Sequence, residues 1–209
     1  MKISRTLLAS AALVMSFGAT AGAQVTGALG GPVGSFLSLS NPASCTNAAP
    51  CTLGGSIGTI VGGRVLGSDQ PFADIPAGGV FESKFLAAGP TVSQPATLTF
   101  NAAVTQFSFL WGSPDWYNQL YITTNAGTQL FTAGGLGFSV TNGNQQFSQY
   151  VQFSAAPGSF ITKVAFTNNP VSNAFEVSNF SVVPEPSSVA LLGAGLALFG
   201  LVSVRRKQG

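Results

Sequence analysis

The chain has 209 residues, of which only 7% are charged and 45% hydrophobic, and it contains no histidine. That excludes triads and metal sites built on imidazole, and the length leaves room for one domain once the two ends are set aside. The formal net charge of +2 belongs to those ends: residues 24–183 hold three basic and five acidic residues, a net of −2, so no basic face remains for nucleic acid.

Lys2 and Arg5 precede an apolar run from Leu7 to Phe17, and Ala21-Gly22-Ala23 has the small-residue form of a signal cleavage site. Residues 1–23 are expected to form a signal helix cut after Ala23, leaving Gln24 as the first mature residue. An uncleaved anchor is the alternative.

Residues 24–58 are rich in Gly, Ser, Pro and Ala and lack a helical pattern. They are expected to be irregular, with one or two edge strands. Cys45 and Cys51 lie in "CTNAAPC", and in an exported protein this spacing favours a disulfide that pins the segment; two free thiols are the alternative. A metal pair lacks the further ligands it would need.

From about residue 59 the signals are those of strands: β-branched and aromatic residues, alternation, and Gly/Asn/Pro punctuation at roughly 8–12-residue spacing. Strands are predicted at 59–66, 79–86, 96–102, 106–111, 119–124, 129–132, 147–154, 160–167 and 174–182. Phe107, Phe109 and Trp111 share one face of theirs, as do Phe147, Gln149, Val151 and Phe153. In "AFEVSNFSV", Phe175, Val177 and Phe180 point inward if Asn179 forms a bulge. Many short strands with this spacing indicate an all-β fold, a β-sandwich or jelly roll.

The motif "GSPDWYN" concentrates what little chemistry the body offers. Asp115 follows Pro114, as in a type I turn with proline at its first corner, and its side chain is expected to cap local N–H groups. The functional reading makes Asp115, Trp116, Tyr117 and Asn118 a ligand-binding pocket in which a ring stacks on a sugar while polar groups hold its hydroxyls. Trp111 is assigned to the core. A carboxylate hydrolase would need Asp115 to meet Glu82 or Glu176 across a substrate.

The chain ends "VVPEPSSVALLGAGLALFGLVSVRRKQG". From Val189 to Val204 every residue is apolar or small, and Ser187 and Ser188 extend the expected helix to 187–204. It would span about 24–27 Å, a little under the ~30 Å bilayer core, and Arg205, Arg206 and Lys207 follow as stop-transfer charges. A buried C-terminal helix is the alternative. Pro184 and Pro186 cannot join a ladder or a helix interior and keep Pro-Glu-Pro extended.

Pro-Glu-Pro, the apolar helix and the basic tail together resemble the PEP-CTERM sorting signal over 184–209. The resemblance implies export in a Gram-negative bacterium that builds extracellular polysaccharide. It further implies recognition of Pro184, Glu185 and Pro186 by a membrane-embedded peptidase, exosortase, and removal of the tail. The stretch "FSFLWGSPDWYNQLYI" and the ending "NAFEVSNFSVVPEP" are similar to a family of exosortase-dependent surface proteins with a lectin-like jelly roll. Related last strands carry Asp where this chain has Ser178, which removes a candidate calcium ligand.

The resulting expectation is an inner-membrane-anchored intermediate that becomes a cell-surface or extracellular protein. It is expected to be non-catalytic, without cofactor or metal, and structural or adhesive in an exopolysaccharide or biofilm matrix. A carbohydrate-binding module around 115–118 is the alternative, and a secreted hydrolase a second.

Overall fold

The computed structural model describes residues 24–184. The expected signal helix with Ala21 and Ala23, the apolar run 187–204, Glu185, Pro186 and the basic tail lie outside the described residues. Among the described residues there are twelve strands and no α-helix. They are β1 (Val25–Leu29), β2 (Ala43–Ser44), β3 (Cys51–Leu53), β4 (Gly58–Val61), β5 (Arg64–Leu66), β6 (Phe85–Ala88), β7 (Ala96–Gly112), β8 (Asn118–Thr124), β9 (Gly127–Phe131), β10 (Ser148–Ala155), β11 (Ile161–Asn168) and β12 (Phe175–Pro184).

The 17-residue β7 organises the fold. Its first half pairs with β4 and β11, and its second half with β10 and β12. The strand folds over on itself near Val104. Phe100 and Phe107 are seven positions apart, roughly 23 Å along a straight strand, yet their ring centroids are 5.5 Å apart. One sheet therefore runs β3-β4-β7-β11-β8-β9 and the other β2-β5-β6-β12-β7-β10-β1, all antiparallel. The product is a β-sandwich whose two sheets share one strand. The separate strands predicted at 96–102 and 106–111 are the two arms of this bend.

Phenylalanines fill the space between the sheets. Phe166 on β11 packs edge-on to Phe109 of β7 and Phe175 of β12, each at 5.4 Å, and close to Phe180. Trp111 is fully buried and stacks on Phe175 at 4.4 Å, which places it in the core. Such pairs stabilise by about 0.5–1.5 kcal/mol each beyond the apolar area they bury. Phe175, Val177 and Phe180 all point inward because Asn179, at φ 52°, is an extra residue between the Ser178–Leu110 and Ser181–Ser108 pairs. The bulge is held by the Asn179 side chain, which accepts from Phe81 N (2.6 Å) and donates to Gly79 O and the Tyr150 hydroxyl.

Several expectations are corrected. The strand predicted at 79–86 begins only at Phe85: Gly78, Gly79, Glu82 and Ser83 all have positive φ, and the Phe81 amide is taken by Asn179 instead of a strand. The strand at 59–66 breaks at Gly62-Gly63, both left-handed, where the chain crosses between sheets. Cys45 exchanges backbone hydrogen bonds with this corner, and Cys45 and Cys51 are joined by a disulfide. Within 24–58, expected to be irregular with one or two edge strands, three short strands form, β1 to β3. One-sided burial fails on the second sheet, where Glu176, Ser178 and Ser181 are buried as well. Residues 33–37 and 72–80 cover that outer face, with Val33 N donating to the hydroxyls of Ser108 and Ser181.

The registers give the body two poles. Pro184 lies opposite Val104, Val104 opposite Ile161, and Ile161 opposite Thr124. Thr124 holds the Gln24 side chain: its hydroxyl donates to Gln24 Oε1 (3.0 Å), while Gln24 Nε2 donates to Ala126 O (2.9 Å). Both ends of the described chain thus leave from one pole, the base. Gly112, opposite Glu176, marks the other pole, roughly 26 Å away over eight residues of strand.

Candidate functional site

The loop 113–117 lies at the pole away from the base. Its turn runs from Asp115 to Asn118, with Asn118 N donating to Asp115 O (3.1 Å), so Trp116 and Tyr117 occupy the corners. This differs from the predicted turn with Pro114 at the first corner. The capping role also moves. Asn118 Oδ1 accepts from Asp115 N (2.7 Å) and Trp111 Nε1 (3.3 Å), and its Nδ2 donates to Asn168 Oδ1 (2.8 Å). Asn118 is fully buried within this network.

Of the four residues grouped as a pocket, only Trp116 is open to solvent, at 64% exposure. Its ring lies 5.5 Å from that of Tyr117, edge to face. The Tyr117 hydroxyl donates to Asp115 Oδ2 (2.6 Å), and burial together with this bond pushes its pKa up to about 12. Asn169 N donates to Tyr117 O, which brings loop 169–173 alongside with Val171 63% exposed.

Asp115 faces a cavity of about 130 Å³ that also receives Asp74, Ser113, Gln145, Asn173 and Glu176. Burial raises the pKa of Asp115, opposed by the Tyr117 hydroxyl. Asp74 is raised by burial and by the charge of Asp69. Glu176 is 4% exposed, and burial lifts it to about 8 despite a hydrogen bond from Ser113 Oγ (2.9 Å), so at neutral pH it is mainly a neutral acid. Among the described residues no Lys or Arg lines the cavity. Ser113 holds its position at φ 32°, a left-handed conformation costing about 1–3 kcal/mol for a residue with a side chain. Gly143 closes another side at φ 71°, where a Cβ would meet Asp115 Oδ1 at 2.8 Å.

The structure therefore brings Glu176 to Asp115 and leaves Glu82 elsewhere. Glu82 pairs with Lys84 at 3.2 Å and accepts from the Ser38 hydroxyl. Asp74, Ser113 and Gln145 escaped the sequence reading. They arrive on loops tens of residues apart, and no local pattern links them. Among the described residues no group of three or more His, Cys, Asp or Glu is placed to hold a metal ion. Ser178 is buried without a hydrogen-bond partner. Pro184, exposed at the end of β12, is the one residue of Pro-Glu-Pro within the described part.

Residues 182–207 match the PEP-CTERM protein-sorting motif. No curated protein and no solved structure matches the chain.

Proposed function

From a chain that carries a PEP-CTERM sorting motif, and is thereby marked for export and for membrane anchoring before exosortase cleavage, we propose a non-catalytic surface protein that adheres to polysaccharide. The contact lies at the pole away from the base. The exposed Trp116, next in the chain to Asp115 of a largely polar cavity, carries this reading. An indole face stacks on the C–H face of a sugar, and carboxyl, amide and hydroxyl groups beside it satisfy the hydroxyls. The cavity is well below the ~300 Å³ of a site that encloses a ligand, so it fits a chain lying across the surface with one group dipping in. A body with eight charged residues suits many weak contacts with a neutral polymer. Both membrane-directed ends leave the base, so the anchored body presents Trp116 away from the membrane.

The test is binding of full-length protein in detergent to a panel of neutral polysaccharides. Trp116→Ala should lower affinity at least tenfold with stability unchanged, since the ring is mostly exposed. Equal binding by the variant would remove the adhesive surface proposed here.

One observation favours a second reading, a carboxylate hydrolase: Asp115 and the mainly protonated Glu176 line the same cavity. A base and an acid of this kind are what glycoside hydrolysis uses. Glycan turnover that disappears in Glu176→Gln would establish it, and binding without turnover leaves the adhesive reading.

A further inference from the structure

The sorting motif begins on the sheet. Pro184 is the last residue of β12 and lies opposite Val104. Just before it, Val182 and Val183 are in register with Phe107 and Gln106, and the Thr105 hydroxyl donates to Val183 O (3.2 Å). The apolar run begins at Ser187, three peptide steps beyond Pro184. At full extension those steps span about 11 Å. A peptidase working at the membrane face must therefore grip the motif within that distance of a folded sheet. It needs the peptide extended and its backbone groups free, yet residues up to 184 are committed to β7.

The base itself suits close approach. It is formed by the bend 101–105, the turn 124–127, the turn 156–159, Gln24 and Pro184, and it contains no Asp, Glu, Lys or Arg. None of these side chains carries a charge that must be stripped of water when this surface meets a membrane-embedded partner. The α-amino group left on Gln24 by signal removal is the one charge the base would present.

We propose that the base of the body is the docking face for the processing peptidase, and that Val182–Pro184 must peel from β7 before Pro-Glu-Pro can be cut. The proposal rests on the sorting reading above. Folding then controls processing directly: the tighter the last rungs of β12, the slower the release.

A reversible clamp tests this. Directly opposed strand residues lie about 4.5–5.5 Å apart, within reach of a disulfide, so Gln106→Cys combined with Val183→Cys ties the last rungs to β7. Removal of the tail from the full-length chain is followed in cells that process the parent protein. The clamped variant should be processed at least tenfold more slowly, and a thiol reductant should restore the parent rate. Inserting eight Gly/Ser residues between Val183 and Pro184 should return fast processing with the clamp still closed, which a misfolded body would not allow. Processing of the clamped, spacer-free variant at the parent rate would overturn the docking proposal alone. Failure of the parent to be processed, with the body exported and folded, would overturn the sorting reading and this proposal with it.

Discussion

The two poles of the sandwich are built from similar residues and put them to different uses. At the base, side chains hold chain ends: Gln24 fits into the β8–β9 turn, and the Thr105 hydroxyl secures Val183. These bonds are partly exposed and each contributes about 1 kcal/mol. At the other pole, Asn118, Asn168 and Trp111 form a buried network that bears no load from the termini. It holds Asp115 beside Glu176 and turns Trp116 outward. One pole can open at low cost, whereas the other is made rigid around an exposed ring and three carboxyl groups. The difference between them is burial, since amides dominate both.

The largest effect expected is at the rigid pole. Asn118→Ala strips partners from Asp115 N, Trp111 Nε1 and Asn168 at once, and should cost about 3 kcal/mol in denaturant unfolding. A loss below about 1 kcal/mol would show that the network is not what makes this pole rigid.

Next comes pH. The folded pKa of Glu176, about 8, is raised from the ordinary 4.5. Below pH 4.5 both states carry the proton and the group is neutral toward stability. Between 4.5 and about 8 the unfolded chain releases its proton first, so the folded state loses stability as pH rises, levelling off above 8. Asp74 and Asp115, also raised, act in the same direction. Glu176→Gln cannot ionise. It should match the parent at pH 4 and exceed it by at least about 1 kcal/mol at pH 8.5, roughly 3 °C in Tm by calorimetry. An equal gap at both pH values would mean that Glu176 is ionised in the folded protein.

The smallest effect belongs to the base. Gln24→Ala removes two hydrogen bonds near the surface and should cost under about 1 kcal/mol, with faster hydrogen exchange confined to the Thr124–Gly127 turn. A cost equal to that of Asn118→Ala would erase the contrast between the poles.

Much of the fold was legible because alternation survives in any sandwich. The run Phe107, Phe109, Trp111 and the inward set Phe175, Val177, Phe180 could be read directly, including the bulge at Asn179, since a period of two fails there by one residue. The 79–86 segment was misread because alternation alone does not reveal a competing partner. The amide of Phe81 is taken by Asn179, 98 residues away. At the site, "GSPDWYN" drew attention to the right loop, but the roles of its members were not legible. Asp115 looked like the cap and Asn118 like a ligand group, whereas burial reverses them. Asp74 and Glu176 had no local signature at all.

By itself the sequence determined that the chain is exported and sorted, and that its body is all-β. Hydropathy, proline and terminal charge act locally on a membrane and a peptidase, and strand periodicity is a property of consecutive residues. Only the tertiary structure decided that β7 bends through both sheets, that the two ends of the described chain share one pole, and that three carboxyl groups, two from loops and one from β12, line one cavity that includes Asp115, the neighbour of Trp116. Those outcomes depend on long-range pairing and on which groups lose contact with water, and neither is encoded in any short stretch of chain.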